Sequence, residues 1–541
     1  MKKLLSILLV GVFLLSSTGT VFSKTTQHYD YVIITTDELK DSLNNFMQWK
    51  ESLGYSIKIV TTSWIESNYN GKDLQEKIKN FLIDKYQQWE IDYVLIVGSR
   101  NKIPMRECYP LYDIHEDDYM IPTDYYYADL NGNWDADKDG YFGEIMQDDV
   151  NFYPEVYVGR IPSDNADKVT SICQHIINFE KGNETWKKDV LLLGAIIFYE
   201  NYSSPWGTFH RLDTATLMEK CWNDIFKPNG FIATKMYEKE GIKPSIYQCD
   251  YKLNYSNVFA EWKKHGIINI FGHGNDLIVA RFVWEHDDGD NVPEDNELSF
   301  PTILRASESE DLSMEAPPIV FSGGCLQLRN PHNIGKAFVE NGAAVAFIGA
   351  TTFSWTNLSF MWRNEKDGGS LSLDYYFFHY LVDKGQKIGN ALYNSKVYYY
   401  NHFGFRRNIT NLDLKIWSFY SNLYSFNLYG DPSMGLDNKK IDANPPQVSI
   451  EKPRNGIYIF GNKIIPFSMP IIIGSINVKA TATDGNGIER VEFYLDNSLK
   501  ASLEKEPYEW EYNAIGFHKI KVVAIDANGN IGGEEIRLFS L

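Results

Sequence analysis

Apolar residues are laid along this chain in three successive rhythms. The first is a single run over residues 4–15, preceded by Lys2 and Lys3 and followed by the small, polar stretch 16–23. A basic start, a short apolar core and a small-residue exit predict a secretory signal peptide over 1–23, removed before Lys24. The run is shorter than the roughly 20 apolar residues that a membrane span needs, and no later stretch is long enough. The second rhythm alternates short apolar runs with helical patterns from 29 to 436. Strands are predicted at Tyr31-Val32-Ile33-Ile34, 56–60, 92–97, 156–159, 190–193, 267–270, 319–321 and 344–348, with helices at 42–53, 74–89 and 165–181. Strands spaced by helices indicate mainly parallel, doubly wound α/β sheets. A polar stretch over 113–149 interrupts the pattern, and two α/β subdomains are expected, 24–184 and 185–440. The third rhythm, over 441–541, has strands of period two separated by Gly485-Asn486-Gly487 and Asn528-Gly529-Asn530, as in a β-sandwich of immunoglobulin type.

Composition narrows this picture. At 541 residues the chain exceeds what one core covers. Its net charge of −19 argues against nucleic acid or anionic lipid as a partner. Five cysteines in an exported chain leave at least one thiol unpaired.

Two of the apolar strands end in reactive residues. Ile267-Ile268-Asn269-Ile270-Phe271 runs into Gly272-His273-Gly274-Asn275, and Ile319-Val320-Phe321 runs into Ser322-Gly323-Gly324-Cys325. Ligands bind at the carboxyl ends of strands in open α/β sheets, so neighbouring strands would set His273 and Cys325 side by side. A free thiol is mostly protonated near neutrality. A neighbouring imidazolium lowers its pKa and later protonates the leaving amine. The flanking glycines let backbone approach a substrate, and the amides of Gly274 and Cys325 suit an oxyanion hole. Singly, such a cysteine is a small core residue and such a histidine a hydrogen-bonding group. As a pair, each ending its own strand, they predict a nucleophile and its acid/base partner.

The Gly-His-Gly turn, the strand-to-Cys junction and their separation resemble the gingipain family of cysteine peptidases, within the larger caspase-like group. Val156-Tyr157-Val158-Gly159-Arg160-Ile161 is similar to that family's Val-Gly-Arg strand, and Asn427-Leu428-Tyr429-Gly430-Asp431-Pro432-Ser433 to its Gly-Asp-Pro-Ser motif. The resemblance implies an endopeptidase with Cys325 as nucleophile and His273 as catalytic histidine. It also implies Trp355, in Thr351-Thr352-Phe353-Ser354-Trp355, as a wall of the specificity pocket, and Glu200 as a carboxylate that orients the histidine. A basic residue before the cut is implied as well, although no acid aligns at the pocket position and Asp213 is offset from it.

Asp135-Ala136-Asp137-Lys138-Asp139-Gly140 has the alternating oxygen ligands and turn glycine of a calcium loop. The glutamate expected six residues after the glycine is Met146, so Glu144 or Asp148 would have to replace it. A structural calcium ion is therefore expected at Asp135, Asp137 and Asp139, and no cofactor for catalysis. Three functions fit the sequence: hydrolysis of protein or peptide substrates through a thioester, transfer of that acyl group to an amine on surface proteins, or a non-enzymatic exported adhesin or scaffold. The intact Cys/His pair argues against the third; water access to the thioester decides between the first two, and hydrolysis is the leading expectation, in a secreted or cell-surface protein.

Overall fold

The computed structural model describes residues 28–111, 114–182, 184–204, 207–356, 361–403 and 412–541. The expected signal peptide lies outside the described residues.

Eleven strands form one sheet: β1 (Tyr31–Thr35), β2 (Ile57–Thr61), β3 (Tyr93–Val97), β4 (Tyr157–Ile161), β5 (Asp189–Gly194), β6 (Ile232–Tyr237), β7 (Tyr251–Lys252), β8 (Ile267–Phe271), β9 (Ile319–Ser322), β10 (Ala346–Ala350) and β11 (Phe426–Tyr429). Their order across the sheet is β7-β6-β5-β8-β9-β10-β11-β4-β3-β1-β2. The neighbours are parallel with one exception, β10 against β11. The two α/β units therefore share a single sheet whose halves run in opposite directions. β11 joins them, pairing with β10 from Phe347↔Tyr429 to Ala350↔Phe426 and with β4 through Tyr429↔Arg160 alone.

Strands β1, β3, β4, β8, β9, β10 and β11 are buried along their whole length. That is why they read as unbroken apolar runs, the signature of strands covered on both faces. The covering helices start where the sequence offers caps. Asp73 accepts the Glu76 N–H at the start of Leu74–Trp89, and Asn165 accepts the Asp167 and Lys168 N–H groups before Ala166–Lys181, which satisfies otherwise orphaned donors.

Two buried ion networks lie beside the seam, and the first of them ties the halves together. Lys50, without exposure, reaches Glu180 at 2.7 Å and Asp431 at 2.5 Å. Asp431 also accepts the Tyr31 hydroxyl at 2.6 Å, and Glu180 the Trp49 indole at 2.7 Å. Arg160, equally buried, forks onto Asp124 at 2.8 and 2.6 Å and donates to the carbonyls of Gly98 and Ile103. The Val-Gly-Arg and Gly-Asp-Pro-Ser motifs thus supply the charges of the sheet's seam.

The C-terminal strands form a three-stranded and a seven-stranded sheet around a core that includes Val478, Val491, Phe493, Val522 and Leu538. Ile476–Thr483 alternates buried and exposed at every position, the pattern of a strand with one wet face. Tyr494, Val523, Ile525 and Ile531 leave that core and join the α/β one. All five cysteines are free thiols. No helix among the described residues is long and apolar enough to cross a membrane.

Removing one member of a buried ion cluster strands the others. Asp431→Ala should lower the unfolding free energy by about 3–5 kcal/mol, measured from the urea midpoint at unchanged slope. A loss below about 1 kcal/mol would remove this cluster from its place as the clasp of the sheet.

Candidate active site

β8 and β9 lie side by side with Ile270 opposite Ser322, and the Gly323 N–H donates to the Ile270 carbonyl at 2.9 Å. The ladder therefore carries both chains to the same rim of the sheet. Beyond it, His273 and Gly274 pair with Ala280 and Val279 in a short antiparallel hairpin. Cys325 follows Gly324 and precedes Leu326, whose φ of 63° is left-handed, a conformation that costs a non-glycine residue about 1–2 kcal/mol. That turn is held by Leu326 N–H to the Thr352 carbonyl (2.9 Å) and Leu328 N–H to the Ala350 carbonyl (3.0 Å). His273, Gly274, Cys325 and Trp355 all line one pocket of about 330 Å³.

The glycine two residues before the nucleophile is required by the protein itself. A Cβ on Gly323 would fall 2.2 Å from the ring of Phe271, far inside van der Waals contact. The two turns also touch: the point a Gly274 Cβ would take lies 3.4 Å from the Cys325 carbonyl oxygen.

His273 Nε2 lies 2.8 Å from the carbonyl oxygen of Ile197. A carbonyl only accepts, so Nε2 carries the proton and Nδ1 is left as the basic nitrogen. Burial holds the imidazole below its ordinary pKa, partly offset by that carbonyl. Burial pushes the Cys325 thiol up, partly offset by the Ser354 N–H, which donates to Sγ at 3.4 Å. Both shifts favour a neutral thiol and a neutral imidazole at rest over an ion pair.

Aromatic rings build most of the pocket wall. Phe198 stacks on Phe209 at 3.9 Å between ring centroids and Phe282 on Phe300 at 4.6 Å. His273 stands edge-on to Phe282 and Phe300, 5.5 Å from each. Phe353 and Trp355 close the side nearest the thiol. The Trp355 backbone is fixed by Asn422, which accepts its N–H at 3.0 Å and donates to its carbonyl at 2.8 Å. Among the described lining residues there is no carboxylate.

The remaining residues singled out in the sequence lie elsewhere. Glu200 is half exposed, accepting from the Arg211 N–H at 2.9 Å and lying 2.9 Å from His210 Nδ1. The position a carboxylate would take at His273 Nε2 belongs to the Ile197 carbonyl, three residues earlier. Its short strand Ile196–Phe198 is fixed against Leu212–Asp213. Asp213 is buried outside the pocket, with Oδ1 on the Ala215 N–H and Oδ2 3.8 Å from Arg211. Asp135, Asp137 and Asp139 bring carboxylate oxygens within 4.8 Å of one another, on a loop apart from the pocket. The Ile197 carbonyl and the rings of Phe198, Tyr202, Phe209, Phe282 and Phe300 are site members that sequence reasoning did not find.

No curated protein matches this chain. Among solved structures, the Arg-specific cysteine proteinase gingipain R is similar over 95% of this chain and 99% of its own, at 13% identity and a TM-score of 0.52. The Porphyromonas gingivalis complex of RgpB pro- and mature domains is similar over 94% of this chain and 99% of its own, at 13% identity and a TM-score of 0.50. At such identity the likeness is one of fold. A bacterial Ig domain model matches residues 446–522. The model of peptidase family C25 matches residues 24–437, and with the fold and the strand-end cysteine and histidine in place, the chain belongs to that family of peptidases.

Proposed function

We propose that this chain is a cysteine endopeptidase that works through Cys325 and His273 and prefers a large apolar side chain before the cut. The observation that carries the reading is the meeting of β8 and β9 at one pocket, with the histidine ring fixed by a backbone carbonyl. Sγ attacks the substrate carbonyl as its proton passes to Nδ1 of His273, forming the C–S bond. The amides of Gly274 and Cys325 serve the oxyanion. Collapse breaks the C–N bond, and the Nδ1 proton goes to the leaving amine. Water then gives a proton to Nδ1 and its oxygen to the thioester carbon; the C–S bond breaks and the proton returns to sulfur. The Ile197 carbonyl keeps Nε2 protonated through the cycle and faces the imidazolium when it forms. In this reading residues 1–23 are a removed signal, and the enzyme acts outside the cell on protein or peptide substrates.

The lining argues against the basic preference that the family resemblance implied. A guanidinium entering this wall meets no described carboxylate, and an unpaired buried charge is costly. A Phe or Leu side chain gains about 1.5–3 kcal/mol on full burial.

Three outcomes are expected. Cys325→Ala abolishes cleavage of a peptide library; equal cleavage by the variant and the parent protein would remove Cys325 from the mechanism. Substrates with Phe or Leu before the cut exceed Arg in kcat/KM by about tenfold or more, the equivalent of about 1.4 kcal/mol. A preference for Arg, held by the aromatic faces, would overturn the apolar assignment and leave the Cys325 reading standing. The third concerns pH. Nδ1 must be neutral to accept the thiol proton, and burial lowers the His273 pKa. The acid limb of kcat/KM therefore lies below the ordinary histidine range near about 6.5. Alkylation of Cys325 by iodoacetamide, conversely, keeps rising through the ordinary thiol range near about 8.5. A plateau at neutral pH would mean a resting thiolate, contrary to the burial that pushes the thiol up.

A further inference from the structure

One face of the C-terminal sandwich breaks the rule that its strands otherwise follow. Five strands of the larger sheet lie side by side in the order β13 (Asn462–Ile465), β12 (Gly456–Ile459), β14 (Pro470–Ile473), β16 (Ile531–Ser540) and β15 (Gly516–Asp526). Tyr458, Ile472, Leu538 and Ile520 belong to the sandwich core, so the residues that alternate with them point outward. Those residues are apolar and in register. Ile465 pairs with Ile457, Ile457 with Ile471, Ile471 with Phe539 and Phe539 with Phe517. One line of apolar side chains thus crosses five strands, on the face where a sandwich ordinarily carries polar residues. Phe517 is 76% exposed and Ile465 49%, and the rings of Phe517 and Phe539 lie 4.6 Å apart. Ile459 and Ile473 pair in a second line two residues on, and Phe460, 74% exposed, extends it.

The same face continues into a contact already made within the chain. Along β15, Phe517 is followed at alternate positions by Lys519, Lys521, Val523 and Ile525. Lys519 donates to the Tyr400 hydroxyl at 3.0 Å, Lys521 lies over the Tyr400 ring, and Val523 and Ile525 belong to the α/β core. A face that packs against protein at one end is therefore left in water at its apolar end. The apolar surface exposed there is on the order of 700 Å², above the largest patch of a typical monomer. Two such faces would bury about 1,400 Å², within the range of stable interfaces. Lys463 is the one charged residue over 456–475, so two copies meet there without the repulsion that a net charge of −19 sets up elsewhere. A lipid surface fits less well. β13 is the open edge of the sheet, and hydrocarbon cannot satisfy the unpaired N–H and C=O groups of an edge.

We propose that this face docks a second copy of the chain, the two apolar lines crossing face to face about a twofold axis. An isologous contact needs a patch that complements itself. A flat apolar sheet face does so, at the usual spacing of about 10 Å between packed sheets.

The test is sedimentation equilibrium of the full chain over a range of concentrations. A monomer–dimer equilibrium is expected, with a Kd in the micromolar range or tighter. Phe517→Lys and Ile471→Lys each set a charge on the line and should weaken the dimer about tenfold or more, with the thermal midpoint of the monomer unchanged. Phe460→Lys, on the exposed turn, takes their place if either lowers that midpoint. Ile246→Lys, at an 83% exposed position of the α/β part, is the control and should dimerise as the parent does. A monomer persisting at about 100 µM, far above a micromolar Kd, would overturn the proposal, and so would a dimer indifferent to the substitutions on the line. Monomeric protein that co-sediments with phosphatidylcholine vesicles, and loses that binding in Phe517→Lys, would overturn it in favour of a lipid surface.

Discussion

A lysine without access to water is the constraint on which the rest of this molecule is arranged. Lys50 sits between Glu180 and Asp431. These three residues come from the helix after β1, the helix after β4 and the turn after β11, three parts of the chain that are remote in sequence. A buried charge that loses a partner is strongly destabilising, so the cluster admits one assembly of those elements. Since β11 is the strand that links the two halves, fixing Asp431 also fixes β10. The segment after β10 carries Ser354 and Trp355 to the thiol. The histidine and cysteine never touch this cluster, yet their rim is positioned by it.

The reactive centre is spare in charge. Burial acts on the thiol and the imidazole in the same sense, towards neutrality. Geometry prepares the reaction instead. One imidazole nitrogen is committed to a carbonyl, the nucleophile stands beside a left-handed turn, and a wall of rings lines the pocket. Such a centre spends little energy on keeping an ion pair out of solvent, and it makes the first proton transfer part of the encounter with substrate.

How much of this was legible in the sequence follows from which interactions leave a residue-type signature. β8 and β9 were readable because full burial demands unbroken apolar runs, and their reactive ends were readable because His and Cys are rare there. The sandwich strands were readable for another reason, since one wet face leaves an alternation of period two, as at 476–483. The fusion of two sheets into one was not legible, since it turns on a single residue pair, Tyr429 with Arg160. The group at His273 Nε2 is a backbone carbonyl, which every residue possesses, so reasoning from side chains looked to Glu200. The aromatic wall is gathered from positions 198, 209, 282, 300 and 353, on separate turns with no common spacing. The glycines were legible as glycines, but the ring of Phe271 that demands Gly323 lies across the ladder.

The C-terminal domain was readable as a sandwich, and less so as a partner. Lys521 is buried over the Tyr400 ring at 3.6 Å, the Tyr400 hydroxyl donates to Glu535 at 2.9 Å, and a Cβ on Gly533 would fall 2.5 Å from the Tyr153 ring. Asn390 donates to Asn530 at 3.2 Å. Four apolar residues of the sandwich also complete the α/β core. Domains of this type are often regarded as interchangeable parts that evolution moves between proteins. This one has been made native to its host. A lineage that exchanged it would need an incoming domain already matched to Tyr400, Asn390 and Tyr153, so the two parts of the chain are bound to diverge together.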